Sequence, residues 1–167
     1  GNGFSLLRSP TPGSANSDAA AVSAPVTVLT APGVFENTDT LEVTLSASGD
    51  IYYTTNCTTP TRNSKRYTGP ITVTQTTVLR VVCYEPGKSP SEVTDLTYLL
   101  NEGDHLSAIS IVTEPGNLWN FATGIYADGP GYTETFPHEG ANYWKDWEYG
   151  ATITFFDQEG TGFDTVP

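Results

Sequence analysis

The 167-residue chain has no methionine, position 1 included, only two cysteines, and seven basic residues against 19 acidic ones. Each scarcity removes a class of function. A formal charge of −12 opposes nucleic acid or an anionic membrane surface as partner, because both demand positive potential on the protein. No apolar run approaches the ~20 residues that cross a bilayer as a helix, so no membrane span is expected. Two cysteines and two isolated histidines, His105 and His138, do not make the four-ligand set of a structural zinc site; no metal and no cofactor is expected. The missing methionine leads to the expectation of a processed or excised chain, a piece of something longer.

What is present is β-structure. Residues 50–84 hold three strand-like runs, Ile51–Thr55, Ile71–Val73 and Thr77–Tyr84, crowded with Val, Ile, Thr and Tyr. Branched and aromatic side chains of this kind suit a pleated, half-buried surface. Proline, glycine and asparagine clusters punctuate the runs. Val26–Leu29, the alternating Leu41–Leu45 and Glu92–Leu99 extend the pattern on either side. Seven or so short strands at this spacing, without helical periodicity, indicate an all-β immunoglobulin- or fibronectin-III-like sandwich over 26–99. Cys57 lies just after the first run and Cys83 near the end of the last, and antiparallel pairing of those runs would let them form a disulfide; the other reading is two free buried thiols, behaving as small hydrophobes.

The remainder divides around this unit. Residues 1–25 have a Ser/Pro/Ala/Gly composition that reads as a linker or tail. Residues 100–105 are polar and read as a short linker. Residues 106–167 form a second β-rich segment, with strands expected at Ile109–Thr113, Trp147–Phe156 and Phe163–Val166, a helical turn after Glu114, and a Gly/Pro/Thr-rich loop up to Gly140. This segment is expected to pack on the sandwich or to be loosely tethered. If the chain is cut short, Thr152–Phe156 would present an open sheet edge.

Several motifs, in order, carry a resemblance: Pro32-Gly33-Val34-Phe35, Ile51-Tyr52-Tyr53-Thr54-Thr55 with Pro60-Thr61, Tyr67-Thr68-Gly69-Pro70-Ile71, Thr77-Val78-Leu79-Arg80 and Ser89-Pro90-Ser91-Glu92-Val93. Residues 32–99 resemble the chitobiase/β-hexosaminidase C-terminal domain, which implies a spacer or support beside catalytic modules and no catalytic residues. Where that family usually has Asp-Gly after the Tyr-Tyr strand, this chain has Asn56-Cys57. In the second segment, Ile109–Thr113, Asn117-Leu118-Trp119, Thr123-Gly124-Ile125-Tyr126, Asn142-Tyr143-Trp144 and Phe155-Phe156-Asp157-Gln158-Glu159-Gly160 resemble the opening of a CotH-type, kinase-like domain. Within residues 1–16, Gly3-Phe4-Ser5-Leu6 and Ser9-Pro10-Thr11-Pro12-Gly13-Ser14-Ala15-Asn16 resemble the closing strand of a lamin-tail-like domain.

Chemistry-bearing patterns are sparse. Gly129-Pro130-Gly131 is no phosphate loop, since proline removes an amide donor and no lysine follows. Asp157–Gly160 reads as a β-turn and not as a calcium loop. No nucleophile pattern and no facing pair of carboxylates stands out. The aromatic residues are more informative, because all three tryptophans fall in the second segment. Trp119, Trp144, Trp147, Tyr132 and Tyr143 form a possible carbohydrate-binding set, since an aromatic face offers apolar area to a sugar ring; the alternative is that they are core packing residues. The leading expectation is a non-catalytic accessory or structural module of a multi-domain secreted or cell-surface bacterial protein. Its partners would be neighbouring domains of the same chain, among them a downstream CotH-like domain. The alternatives are polysaccharide binding, and a fragment of a CotH-type protein kinase that is inactive without its C-terminal part.

Overall fold

The computed structural model of the chain describes residues 21–103, 107–157 and 162–164. The lamin-tail-like residues 1–16, His105 and most of the turn expected at 157–160 lie outside the described residues. Nine strands build the first unit: β1 (Thr27–Val28), β2 (Gly33–Phe35), β3 (Leu41–Val43), β4 (Leu45–Ser46), β5 (Asp50–Thr54), β6 (Lys65–Arg66), β7 (Ile71–Val73), β8 (Thr77–Tyr84) and β9 (Thr94–Leu100). One layer is a five-stranded sheet in the order β2-β9-β8-β5-β6. The other joins β1-β4 and β3-β7, because β3 and β4 are one stretch of chain interrupted at Thr44. The Thr44 carbonyl accepts from the amides of Leu29 and Thr30, and its own N–H donates to Thr30 Oγ1 at 3.0 Å. The all-β sandwich expected from the sequence is therefore the observed architecture.

Pro32 explains how the first strand changes layers. β1 pairs antiparallel with β4, whereas β2 pairs parallel with β9 in the opposite sheet. Proline has no N–H to give a ladder, so the chain leaves one sheet at Thr30 and joins the other at Gly33. Strand β2 starts directly after Pro32.

The core follows from the two-residue strand period. Leu79, Val81 and Cys83 of β8 and Leu96, Tyr98 and Leu100 of β9 point inward, where they meet Val43, Leu45, Ile51 and Val73. Tyr98 is wholly buried; its hydroxyl donates to the Thr30 carbonyl at 2.8 Å, and burial pushes its phenol up to about 12. That bond ties the core to the layer-switching strand.

The expected disulfide is absent: Cys57 and Cys83 are both free thiols. Antiparallel register is the reason. Ile51 lies opposite Cys83 and Thr54 opposite Arg80, so the chain leaving β5 toward Cys57 emerges near Arg80, at the far end of β8 from Cys83. Cys83 is instead a fully buried core residue. Cys57 sits at φ 61°, the left-handed conformation that glycine tolerates best. The Asn56-Cys57 departure thus preserves the turn that Asp-Gly would make, at a strain of about 1 kcal/mol for an L side chain.

The second segment forms a three-stranded antiparallel sheet, order β10-β11-β12, from β10 (Ala108–Val112), β11 (Thr152–Phe156) and β12 (Gly162–Asp164), with a short helix α1 (Pro115–Trp119) and a 3₁₀ turn at Asn142–Trp144 between β10 and β11. Two expectations are corrected. The run from Trp147 is a strand only from Thr152 onward, since the Tyr149 hydroxyl is held by the Thr123 carbonyl at 2.6 Å and Gly150 O by Thr113 Oγ1. Strand β11 is also no open edge, for it pairs with β10 and β12 on its two sides.

The segment is packed on the sandwich, against the outward face of the five-stranded sheet. Thr97 Oγ1 and Ser110 Oγ share a 2.7 Å hydrogen bond. Arg80 and Asp95, directly paired across β8 and β9, form a buried ion pair with Nε donating at 2.8 Å. Asp95 also accepts from Thr152 Oγ1 at 2.7 Å. Arg80 Nη1 reaches the Cys57 carbonyl at 2.8 Å and Glu114 Oε2 at 3.3 Å. Glu114 Oε2 further accepts from the Thr59 amide and hydroxyl, both at 2.8 Å. Two buried charges taken out of water cost several kcal/mol each unless every lone pair and N–H finds a partner; here the partners come from both units.

The start of the sandwich is also pinned. Residues 21–25, expected to end a linker, are bonded to the 85–91 turn through Ser23 and Ser89. Glu85 accepts from Lys88 Nζ at 2.6 Å and from the Ala24 amide at 2.8 Å. Those bonds, Lys88 first, hold its carboxyl down at about 2. A lowered carboxylate pKa contributes stability that is whole above the unfolded value of about 4.3 and drains away as pH falls toward 2. Urea titrations between pH 5 and pH 2 are therefore expected to show a shallower acid loss in Glu85→Gln than in the parent. Parallel curves would refute this anchoring role.

Candidate functional site

The loop-rich region between β10 and β11 carries the candidate site, and one buried amide organises it. Asn142 is fully buried. Its Nδ2 donates to the carbonyls of Phe121 and Gly124 at 3.0 and 3.2 Å. Its Oδ1 accepts from Lys145 Nζ at 3.1 Å, and its backbone N–H donates to the Asp128 carbonyl. Three loop segments thus close on a single residue. Gly129 passes so near, at φ 79°, that a Cβ there would lie 2.1 Å from Asn142 Oδ1; only glycine fits. A buried polar group fully satisfied in this way fixes one arrangement of the loops.

The aromatic side chains on this framework face outward. Trp119 is 66% exposed and Trp144 60% exposed. Tyr132 and Tyr143 are also exposed. Trp147 is half-buried, with the Lys145 ammonium 4.5 Å from its ring centre. Of the five residues selected from the sequence, four are therefore surface groups and one is largely covered. The core-packing alternative fails for these four: the packing of this region is supplied by Asn142, Ala141 and the sheet residues Val112 and Phe156.

The structure adds residues that the sequence reading left out. Tyr126, 65% exposed, stacks on Trp119 with ring centres 5.4 Å apart and planes at 29°. Phe121 and Phe136 are exposed beside them in the chain. Trp144 is less free, since its Nε1–H donates to the Pro137 carbonyl at 3.1 Å and its ring is tilted 47° against Tyr143. The Tyr143 phenol is pushed up by burial and by the neighbouring Asp128 carboxylate. The signal for Tyr126 was its place seven residues after Trp119, across a turn closed by Gly124.

Other surfaces offer less. An open cleft lies between Ser48, Asp50, Arg62, Tyr84 and Pro86, where the Arg62 guanidinium covers the Tyr84 ring at 4.4 Å. Among the described residues no group of three or more His, Cys, Asp or Glu side chains is placed to hold a metal ion.

Residues 30–95 match the family model of the chitobiase/beta-hexosaminidase C-terminal domain. That range holds β2 to β8 and the first residues of β9, and the matched family is an accessory domain of immunoglobulin-like fold. The match does not reach residues 1–16 or 106–167. No curated protein and no solved structure matches the chain. The exposed aromatic face and the Asn142 framework lie wholly outside the matched range.

Replacing Asn142 with Ala strands two carbonyls and one ammonium, and is expected to speed amide exchange severalfold in residues 121–129 and 141–146. Protection in β8 and β9 is expected to be unchanged. Uniform protection across both variants would show that the loops are held by something else.

Proposed function

We propose that this chain is a non-catalytic accessory module of a multi-domain secreted or cell-surface bacterial protein, in which the sandwich acts as a rigid support for the segment that follows it. The observation that carries this reading is the junction at Arg80. A spacer that only separates its neighbours needs no buried charge at the contact. Here Arg80 donates to Glu114, Asp95 accepts from Thr152, and Glu114 in turn accepts from Thr59, so the two units share one set of interactions. The matched accessory family supports the same role. The resemblance of residues 106–167 to the opening of a CotH-type domain supports a kinase-like neighbour as the part being positioned.

The protein carries its own probes for a test. All three tryptophans lie in the second segment, while most strand residues belong to the sandwich. Tryptophan emission and far-ultraviolet circular dichroism thus report different units. In the parent the two unfolding curves are expected to coincide, as a single cooperative transition requires. Arg80→Ala leaves Asp95 buried and uncompensated, at a cost of about 3 kcal/mol, and is expected to lower and separate the two curves. Coincident curves with an unchanged midpoint would overturn the rigid-support reading.

A further inference from the structure

Beyond the support role, we infer that the Trp119–Tyr126 stack is the platform of a saccharide-binding face for a neutral, extended pyranose chain. Three observations converge on it. First, the two rings are stacked on each other and each is about two-thirds exposed, which leaves a broad aromatic surface open to solvent. Side chains of this size ordinarily bury most of their area. A pyranose ring presents a flat face of C–H groups that covers such a surface, while its equatorial hydroxyls remain in water or meet polar groups at the rim.

Second, the platform is held in place before any ligand arrives. The Leu118 carbonyl accepts from the Tyr126 amide, and the Asn117 carbonyl from the Ile125 amide. Asn142 anchors the intervening loop at Phe121 and Gly124. Tyr149 adds a further bond to Thr123. Preorganisation removes the ordering cost that weakens binding by mobile loops. Next to Trp119, Asn120 Oδ1 is committed to the amides of Ala122 and Thr123. This fixes the side-chain amide and leaves its N–H groups to donate to a sugar hydroxyl at the rim.

Third, charge selects the class of glycan. Between residues 119 and 149 stand Asp128, Glu134, Glu139, Asp146 and Glu148, against Lys145 as the one basic residue, and Lys145 is occupied by Asn142 and the Trp147 ring. Uronate or sulfated chains would be repelled. Trp144 and Tyr143 add further exposed aromatic area within the same segment.

The test is calorimetry and tryptophan emission on the full chain with cellohexaose and chitohexaose as neutral probes and polygalacturonate as the charged one. A saturable signal is expected with at least one neutral oligomer and none with polygalacturonate. Trp119→Ala and Tyr126→Ala are each expected to weaken binding by about tenfold, the size of one lost ring contact. Trp119→Phe is expected to retain most of the affinity. Asn120→Asp keeps the turn-forming oxygen, removes the donors, and is expected to weaken binding severalfold. Trp147→Phe is expected to change nothing. Absence of a signal with both neutral oligomers in protein that unfolds cooperatively would overturn the inference. Binding that survives Trp119→Ala, or prefers polygalacturonate, would overturn it equally. None of these outcomes bears on the coupled unfolding that tests the support role.

Discussion

A charged side chain in the middle of a sheet must be answered, and in this protein the answer comes from another part of the chain. Arg80 stands on the outward face of β8, 13% exposed, against an Asp95 side chain that is 4% exposed. Neither could remain charged beneath an apolar cover without hydrogen bonds from several directions. Glu114, Thr152 and the Cys57 carbonyl provide them, and Thr59 holds Glu114 in place. The consequence is directional: a hydrophobic contact would tolerate sliding of one unit over the other, whereas a set of charge-assisted bonds fixes a single placement.

The second segment has a surface that reflects this mode of docking. Its β10–β11 sheet turns Ser110, Thr152 and Thr154 toward the sandwich side, while Ile109 and Ile111 are exposed. The inward face is mixed: Val112 and Phe156 are buried on it beside these hydroxyl residues, so apolar packing and polar bonds share the contact. Further along, the loops hold their aromatic rings outward on a framework that is satisfied internally through Asn142.

Much of the sandwich was legible in the sequence. Ile71–Val73 and Thr77–Tyr84 are the observed strands residue for residue, because β-branched runs between Gly/Pro punctuation leave little choice of period. The switch of the first strand was hidden, since Pro32 reads as a turn whether or not the chain then joins another sheet. The disulfide expectation failed on register, since antiparallel pairing sets the end of one strand against the start of its neighbour and so parts Cys57 from Cys83. Trp147–Phe156 looked like one strand because aromatic residues raise β-propensity, yet Tyr149 is claimed by a loop carbonyl. Trp119 and Trp144 were visible in the sequence as aromatic residues, but composition alone left their exposure open, and Tyr126 joined them only once the turn at Gly124 brought it back. Arg80 carried a signal that went unused. A lone arginine inside Thr-Val-Leu-Arg-Val-Val-Cys-Tyr, with Asp95 opening the next strand, marks a buried charge in need of a partner.

The central claim is that the two units move as one body. Backbone ¹⁵N relaxation measures this directly, as the rotational correlation time of β5, β8 and β9 compared with that of β10 and β11. The account predicts a single value, that of a 17.9 kDa particle, for both sets of strands. Two shorter and unequal values would contradict it and would reduce the Arg80 junction to a transient contact.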